Sequence, residues 1–167
     1  MPEITPQKAG GANICAFLDM IAHSELGHAL LDSSDNGYNV IVGSTASHPI
    51  LFDDYNDHPN RLIGPPIIPV ASTAAGRYQL LHRYFEAYKV QLNLPDFGPL
   101  SQDVIAIQQI KERHAIDLIN NGHIAQAIYA CSNIWASLPG NNYGQHQNQA
   151  AALISAYQAA GGKLAAA

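Results

Sequence analysis

"FLDMIAHSELGH", Phe17 to His28, reads as an amphipathic helix with a carboxylate set where an apolar residue belongs. At about 100° per residue, Phe17, Met20, Ile21 and Ser24 fall on one side. Glu25 lies one turn past Ile21 and two past Leu18, inside or at the edge of that stripe. A carboxylate so placed is paired, sits exposed in a cleft, or holds its proton above the usual carboxylate range. A lone helical glutamate is most often a solvated surface residue, so the rest of the chain has to decide what Glu25 is for.

The helix is expected to start at Asn13, as N-cap, and to run to about Leu31, after a loose polar arm. "SSDNG" is a turn and "YNVIVG" a short strand, with a second strand in "PILF" before the polar turn "DDYNDHP". "IGPPIIPV", Ile63 to Val70, carries three prolines, which exclude a helix and suit a projecting loop. Its isoleucines would be exposed there, as on a lip over a groove. Helical spacing returns in "RYQLLHRYFEAYKVQL". It continues in "SQDVIAIQQIKERHAIDLINNG", with Ser101 as cap and Asp103 in its first turn, and in "IAQAIYAC" and "QAAALISAYQAA". "SNIWASLPGNNYGQ" lies between the last two and makes a second lip. The fold class is therefore α+β, mainly helical, with a small antiparallel sheet near residues 38 to 55 and a substrate groove between two lips. One catalytic domain is expected over residues 1–162, while "KLAAA", Lys163 to Ala167, reads as a cloning scar.

Composition narrows the function. The chain has 167 residues at 47% hydrophobic content, enough for one core, and a net charge of −5 with eight Lys and Arg. Nucleic acid and anionic membrane surfaces need clustered positive charge and are not expected partners. A polymer recognised through neutral hydroxyls and amides stays open. Cys15 and Cys131 lack metal or redox spacing and read as small buried residues. The start has no apolar signal region and no run approaches a membrane span, so the protein is expected to stay in the cytoplasm where it is made.

No metal site is expected. His23 and His28 are five apart and do not share a helix face, and the H-x-E of His23 to Glu25 has no P-C-x-x-C to complete it. Nucleophile elbows and phosphate loops are absent as well, and no cofactor is expected. What remains is an aromatic–amide pairing that occurs twice. Tyr78 and Gln79 follow Gly76 at what reads as a helix start, and Tyr143 and Gln145 stand on the second lip. Such pairs can stack on a sugar ring and hydrogen-bond its N-acetyl group. With one carboxylate on an apolar helix face, they suit glycan cleavage.

"AFLDMIAHSE", "GYNVIVG", "DYNDHP", "STAAGRYQLL", "SQD", "QQIKER" and "CSNIWASLPG-x-x-YGQ" resemble, in order, the bacteriophage lambda endolysin family over about Ala16 to Gly162. The resemblance implies a lysozyme-like fold and a lytic transglycosylase. That enzyme cleaves peptidoglycan between N-acetylmuramic acid and N-acetylglucosamine. It implies that Glu25, in the S-E at the end of the first helix, is the catalytic residue. It also implies that Gly76-x-x-Gln79 places Gln79 facing the bound sugar. Tyr38, Asn39, Tyr78, Gln79, Tyr143 and Gln145 form the expected substrate-binding set. The chain departs from the family pattern at His23, where the family has Trp, at Leu26, where it has Gly, and at Asn39, where it has Asp. A transglycosylase needs one titrating residue. A hydrolytic lysozyme would need Glu25 with a second carboxylate, Asp53, Asp54 or Asp57, all in a polar turn. The expected partner is the peptidoglycan glycan strand, met as a monomer in the periplasm once a holin, without direct binding, has opened the inner membrane.

Overall fold

Helices carry this fold, and nearly every one starts or stops where glycine, proline or a left-handed residue requires it. The computed structural model describes residues 1–141 and 147–166. Among these the helices are α1 (Pro6–Ala9), α2 (Ala12–Leu26), α3 (His28–Asp32), α4 (His82–Gln91), α5 (Pro99–Glu112), α6 (Ile116–Asn120), α7 (Ile124–Cys131) and α8 (Ala150–Ala159). The chain divides into two compact units. Met1–Glu25 with Ala106–Ala167 form one, and Leu26–Ile105 form the other.

The first unit is organised on α2. Ile14, Phe17, Leu18, Met20 and Ile21 are all fully buried, so the helix is buried around most of its circumference rather than along one stripe. Its one acidic side chain before Glu25, Asp19, lies 3.2 Å from the N-terminal ammonium. The helix expected to reach Leu31 instead ends at Leu26, because Gly27 turns to φ +74°, where a β-carbon is unfavourable, and α3 follows as a separate turn. The start also differs. Asn13 is inside the helix, and its side chain donates to Ile119 O at 3.1 Å and accepts from Lys163 N at 3.0 Å. The arm before it is ordered: Thr5 caps α1, Ile4 is buried, and the Cys15 thiol faces Ile4 O at 3.6 Å. The tail set aside as a scar is bonded in too, with Tyr157 Oη donating to Lys163 O and Ala165 N to Gly122 O. α6 packs on α7, and α7 on α8.

In the second unit the expected sheet shrinks to isolated antiparallel bridges, Val40 with Leu51, Ile41 with Ala75, Ile63 with Ser72, and Ala75 with Leu80. Turns interrupt each extended segment before a ladder can form. The helix read from Arg77 begins only at His82, since Ala75 and Leu80 close a hairpin with Gln79 at φ +50°. The core here is Ala75, Leu80, Phe85, Phe97 and Ile105, with Phe85 and Phe97 edge to face at 4.9 Å. On the proline-rich loop Ile67 and Val70 are exposed, whereas Ile63, expected to be exposed, is buried where it bridges to Ser72. α5 starts at Pro99, suited to a first turn. Ser101 therefore lies within the helix and is buried, donating to Asp96 Oδ1 at 2.8 Å rather than capping. Asp103 falls past the first turn and is wholly buried. The single helix expected to Gly122 breaks at His114, φ +54°, before α6.

Candidate active site

Glu25 occupies the last turn of α2, half-buried, where the helix's carbonyl end already disfavours a negative charge. Burial raises its pKa above the ordinary carboxylate value of 4.5, and hydrogen bonds from the Ser137 hydroxyl and backbone amide partly counter that rise. The Ser137 Oγ–Oε1 distance is 2.5 Å. Ser137 follows α7 in the stretch pinned by buried Trp135 and Leu138. Asn148, before α8, reaches both partners' neighbourhood. Its backbone N–H donates to Ser137 O at 2.9 Å, and Nδ2 donates to Ser24 O at 3.1 Å and Ser24 Oγ at 2.9 Å. The carboxyl is thus sheltered, hydrogen-bonded and biased toward its protonated form.

The second unit holds four of the other expected site residues, Tyr38, Asn39, Tyr78 and Gln79. Tyr38 and Tyr78 are buried, and both hydroxyls donate to Asp103 Oδ1, at 2.9 and 2.6 Å. The Arg77 guanidinium lies 5.3 Å from the Tyr38 ring centroid and 5.9 Å from that of Tyr78. Burial first, then Asp103, holds the Tyr78 phenol far above its usual pKa. Both phenols are therefore paired with a buried carboxylate, which satisfies polar groups that burial would otherwise leave without a partner. Gln79 and Asn39 remain half-buried. Gln79 Nε2 donates to Gly76 O at 2.9 Å, within its own hairpin turn, and Asn39 Oδ1 accepts from Asp35 N at 3.0 Å. Tyr143 and Gln145 lie outside the described residues.

Gln102 sets that turn. Its Oε1 accepts from Arg77 N at 2.9 Å, while Nε2 donates to Tyr38 O at 3.0 Å and Phe97 O at 2.8 Å. Gly76, at φ +83°, lies against it so closely that a β-carbon would stand 2.3 Å from Gln102 Oε1. Sequence reasoning missed Ser137, Asn148, Gln102 and the burial of Asp103. Ser137, Gln102 and Asp103 stood in stretches already quoted, the second lip and "SQD", whereas Asn148 stood in none. Cys15 and Cys131 are buried and not in a disulfide, and burial pushes the Cys131 thiol up to about 12, in keeping with an unreactive core residue.

A family model for endolysins matches residues 15–164. The chain belongs to the endolysin family. The matched region takes in Lys163 and Leu164, which therefore fall within the family's extent. The endolysin of Escherichia phage lambda is 51% identical over 152 residues, covering 89% of this chain and 91% of that protein. The endolysin of Escherichia phage P2 is 47% identical over 156 residues, covering 90% and 93%. Among solved structures, bacteriophage lambda lysozyme complexed with a chitohexasaccharide superposes with a TM-score of 0.83 at 49% identity, over 98% of this chain and 99% of that one. Lysozyme from bacteriophage lambda gives 0.80 at 48% identity, with the same coverage. The fold of this endolysin-family chain is accordingly lysozyme-like and mostly helical, as the sequence led one to expect.

Proposed function

We propose that the chain is a phage or prophage endolysin that cleaves the β-1,4 bond between N-acetylmuramic acid and N-acetylglucosamine as a lytic transglycosylase. The observation that carries this reading is the state of Glu25, a half-buried carboxyl whose pKa is raised by burial and which keeps a hydroxyl donor on one oxygen. Protonated Glu25 gives its proton to the glycosidic oxygen as the bond to C1 breaks. The resulting carboxylate takes the proton from the muramyl 6-hydroxyl, whose oxygen closes on C1 to give the 1,6-anhydro ring. One residue serves as acid and then as base, and no water is consumed. Gln79 and Asn39, half-buried amides, are assigned to the glycan, with Tyr143 and Gln145 as further contacts. The chitohexasaccharide seen with lambda lysozyme supports a glycan ligand.

Hydrolysis would need a second carboxylate as base or nucleophile. Asp53, Asp54 and Asp57 are exposed, and Asp57 is paired with Lys89 at 3.3 Å. None has the sheltered setting of Glu25, which supports the single-carboxylate reading. No helix among the described residues is long and apolar enough to cross a membrane. In this reading the protein waits in the host cytoplasm as a monomer, a holin opens the way without binding it, and it acts in the periplasm. Muropeptides released from purified sacculi should end in 1,6-anhydro-muramic acid, one water lighter than the reducing sugars and inert to borohydride. Labelled oxygen from solvent incorporated at C1 would establish hydrolysis instead.

A further inference from the structure

We propose that Ser137 is a positioning residue for Glu25, and that a one-way hydrogen-bond relay from Asn148 through Ser24 aims its hydroxyl so that the transferable proton resides on Glu25 Oε2. The proposal rests on the reading of Glu25 as the acid. Four groups make the relay, in the order Asn148 Nδ2, Ser24 Oγ, Ser137 Oγ and Glu25 Oε1, at 2.9, 2.8 and 2.5 Å. Its direction follows from what each atom can do. Ser24 O, one of the carbonyls left over at the end of α2, only accepts, so the Asn148 atom 3.1 Å from it is the donating nitrogen. That nitrogen has no lone pair for Ser24 Oγ to use, so Ser24 Oγ accepts from it. An ionised Glu25 only accepts, so Ser137 must give it its single proton. With that proton committed, Ser137 Oγ accepts from Ser24 Oγ across their 2.8 Å contact.

Every donor in the relay therefore points toward Glu25. A proton on Oε1 would reverse the last step and leave the protons of Ser137 and Ser24 without the acceptors they now use. The protonated acid instead carries its hydrogen on Oε2 and keeps Oε1 for Ser137. Asn148 fixes the distance as well, since its backbone N–H holds Ser137 O at 2.9 Å while its side chain holds Ser24. Among the described residues, burial raises the pKa of Glu25 and the two Ser137 donors oppose that rise. Removing the hydroxyl takes away a group that favours the ionised form, so the acid should keep its proton to higher pH.

The test compares Ser137→Ala, Ser137→Thr and Asn148→Asp with the parent chain by the pH–rate profile for sacculus solubilisation and by carboxyl NMR titration of Glu25. In Ser137→Ala the rate should fall about 10²-fold, as for a group displaced from its productive geometry. The alkaline limb and the Glu25 midpoint should both move to higher pH. Ser137→Thr keeps the hydroxyl and should restore both. Asn148→Asp removes the directing donor at nearly constant shape and should weaken activity with Ser137 in place. A structural role alone would lower the rate at every pH without moving the limb or the midpoint, and that result would overturn the proposal. Should Glu25→Gln stay active, the reading of Glu25 as acid falls, while the titration still decides whether Ser137 governs its proton.

Discussion

Glu25 shows how far a single residue can be read. Its place on an apolar helix face marked it as anomalous, and the structure supplies the cause: a helix end, a sheltered setting and Ser137. The same setting makes it costly. A carboxyl whose folded pKa lies above its unfolded value adds no penalty below about 4.5, and destabilises progressively as pH rises toward the folded value. Glu25→Gln, nearly isosteric, should lose turnover by several orders of magnitude. It should also melt higher than the parent at pH 7 and equally at pH 4, with each kcal/mol of relief worth about 2–4 °C in a chain of this size. Thermal scans at the two pH values check the second half, and clearing of permeabilised cells the first. By contrast, Tyr78 shows what a single residue leaves open. Tyrosine after a glycine suits a ligand as well as it suits a buried carboxylate, and only Asp103 at 2.6 Å distinguishes them.

At the level of elements, helix existence was legible and helix ends were not. The apolar spacing of α2, α4, α5, α7 and α8 is in the sequence, yet Gly27 and His114 each cut a longer expected helix. Glycine in the left-handed region is cheap, and a chain read by periodicity alone runs through it. The sheet was over-read for the opposite reason. β-branched runs such as "NVIV" signal extension, but ladder length depends on partners that here pair at single positions. The hairpin from Ala75 to Leu80 is held from outside by Gln102, three of whose bonds end on buried main-chain groups. Gln102→Ala should leave those groups unsatisfied and cost about 3–5 kcal/mol, each being worth about 1–3. Urea unfolding measures the loss. A near-neutral result would mean that the turn holds itself.

For the whole molecule, pH dependence is the property that several sites share. His58 is buried, with Nε2 2.9 Å from Leu80 O and Nδ1 accepting from Asn60 N at 3.0 Å, which sets a neutral tautomer. Burial lowers its pKa from the ordinary 6.5. The Leu80 carbonyl opposes the shift, His82 adds to it, and Asp57 opposes it. A histidine held neutral contributes its full stability above pH 6.5, and that contribution is lost as pH falls toward the folded value. His58→Leu should be less stable at pH 7.5, through loss of the bonds to Leu80 O and from Asn60 N, yet lose less on acidification to pH 5 than the parent does. Parallel melting curves across that range would show that His58 is not the group responsible. The sequence by itself determined the helical class, the family region and the anomalous placement of Glu25, because periodicity, multi-residue identities and one misplaced charge are local properties of the chain. Tertiary structure alone decided that Tyr38 and Tyr78 are buried on Asp103 and that Ser137 and Asn148 stand behind Glu25. Those pairings join residues 25 to 124 positions apart, and no local rule reaches across such a separation.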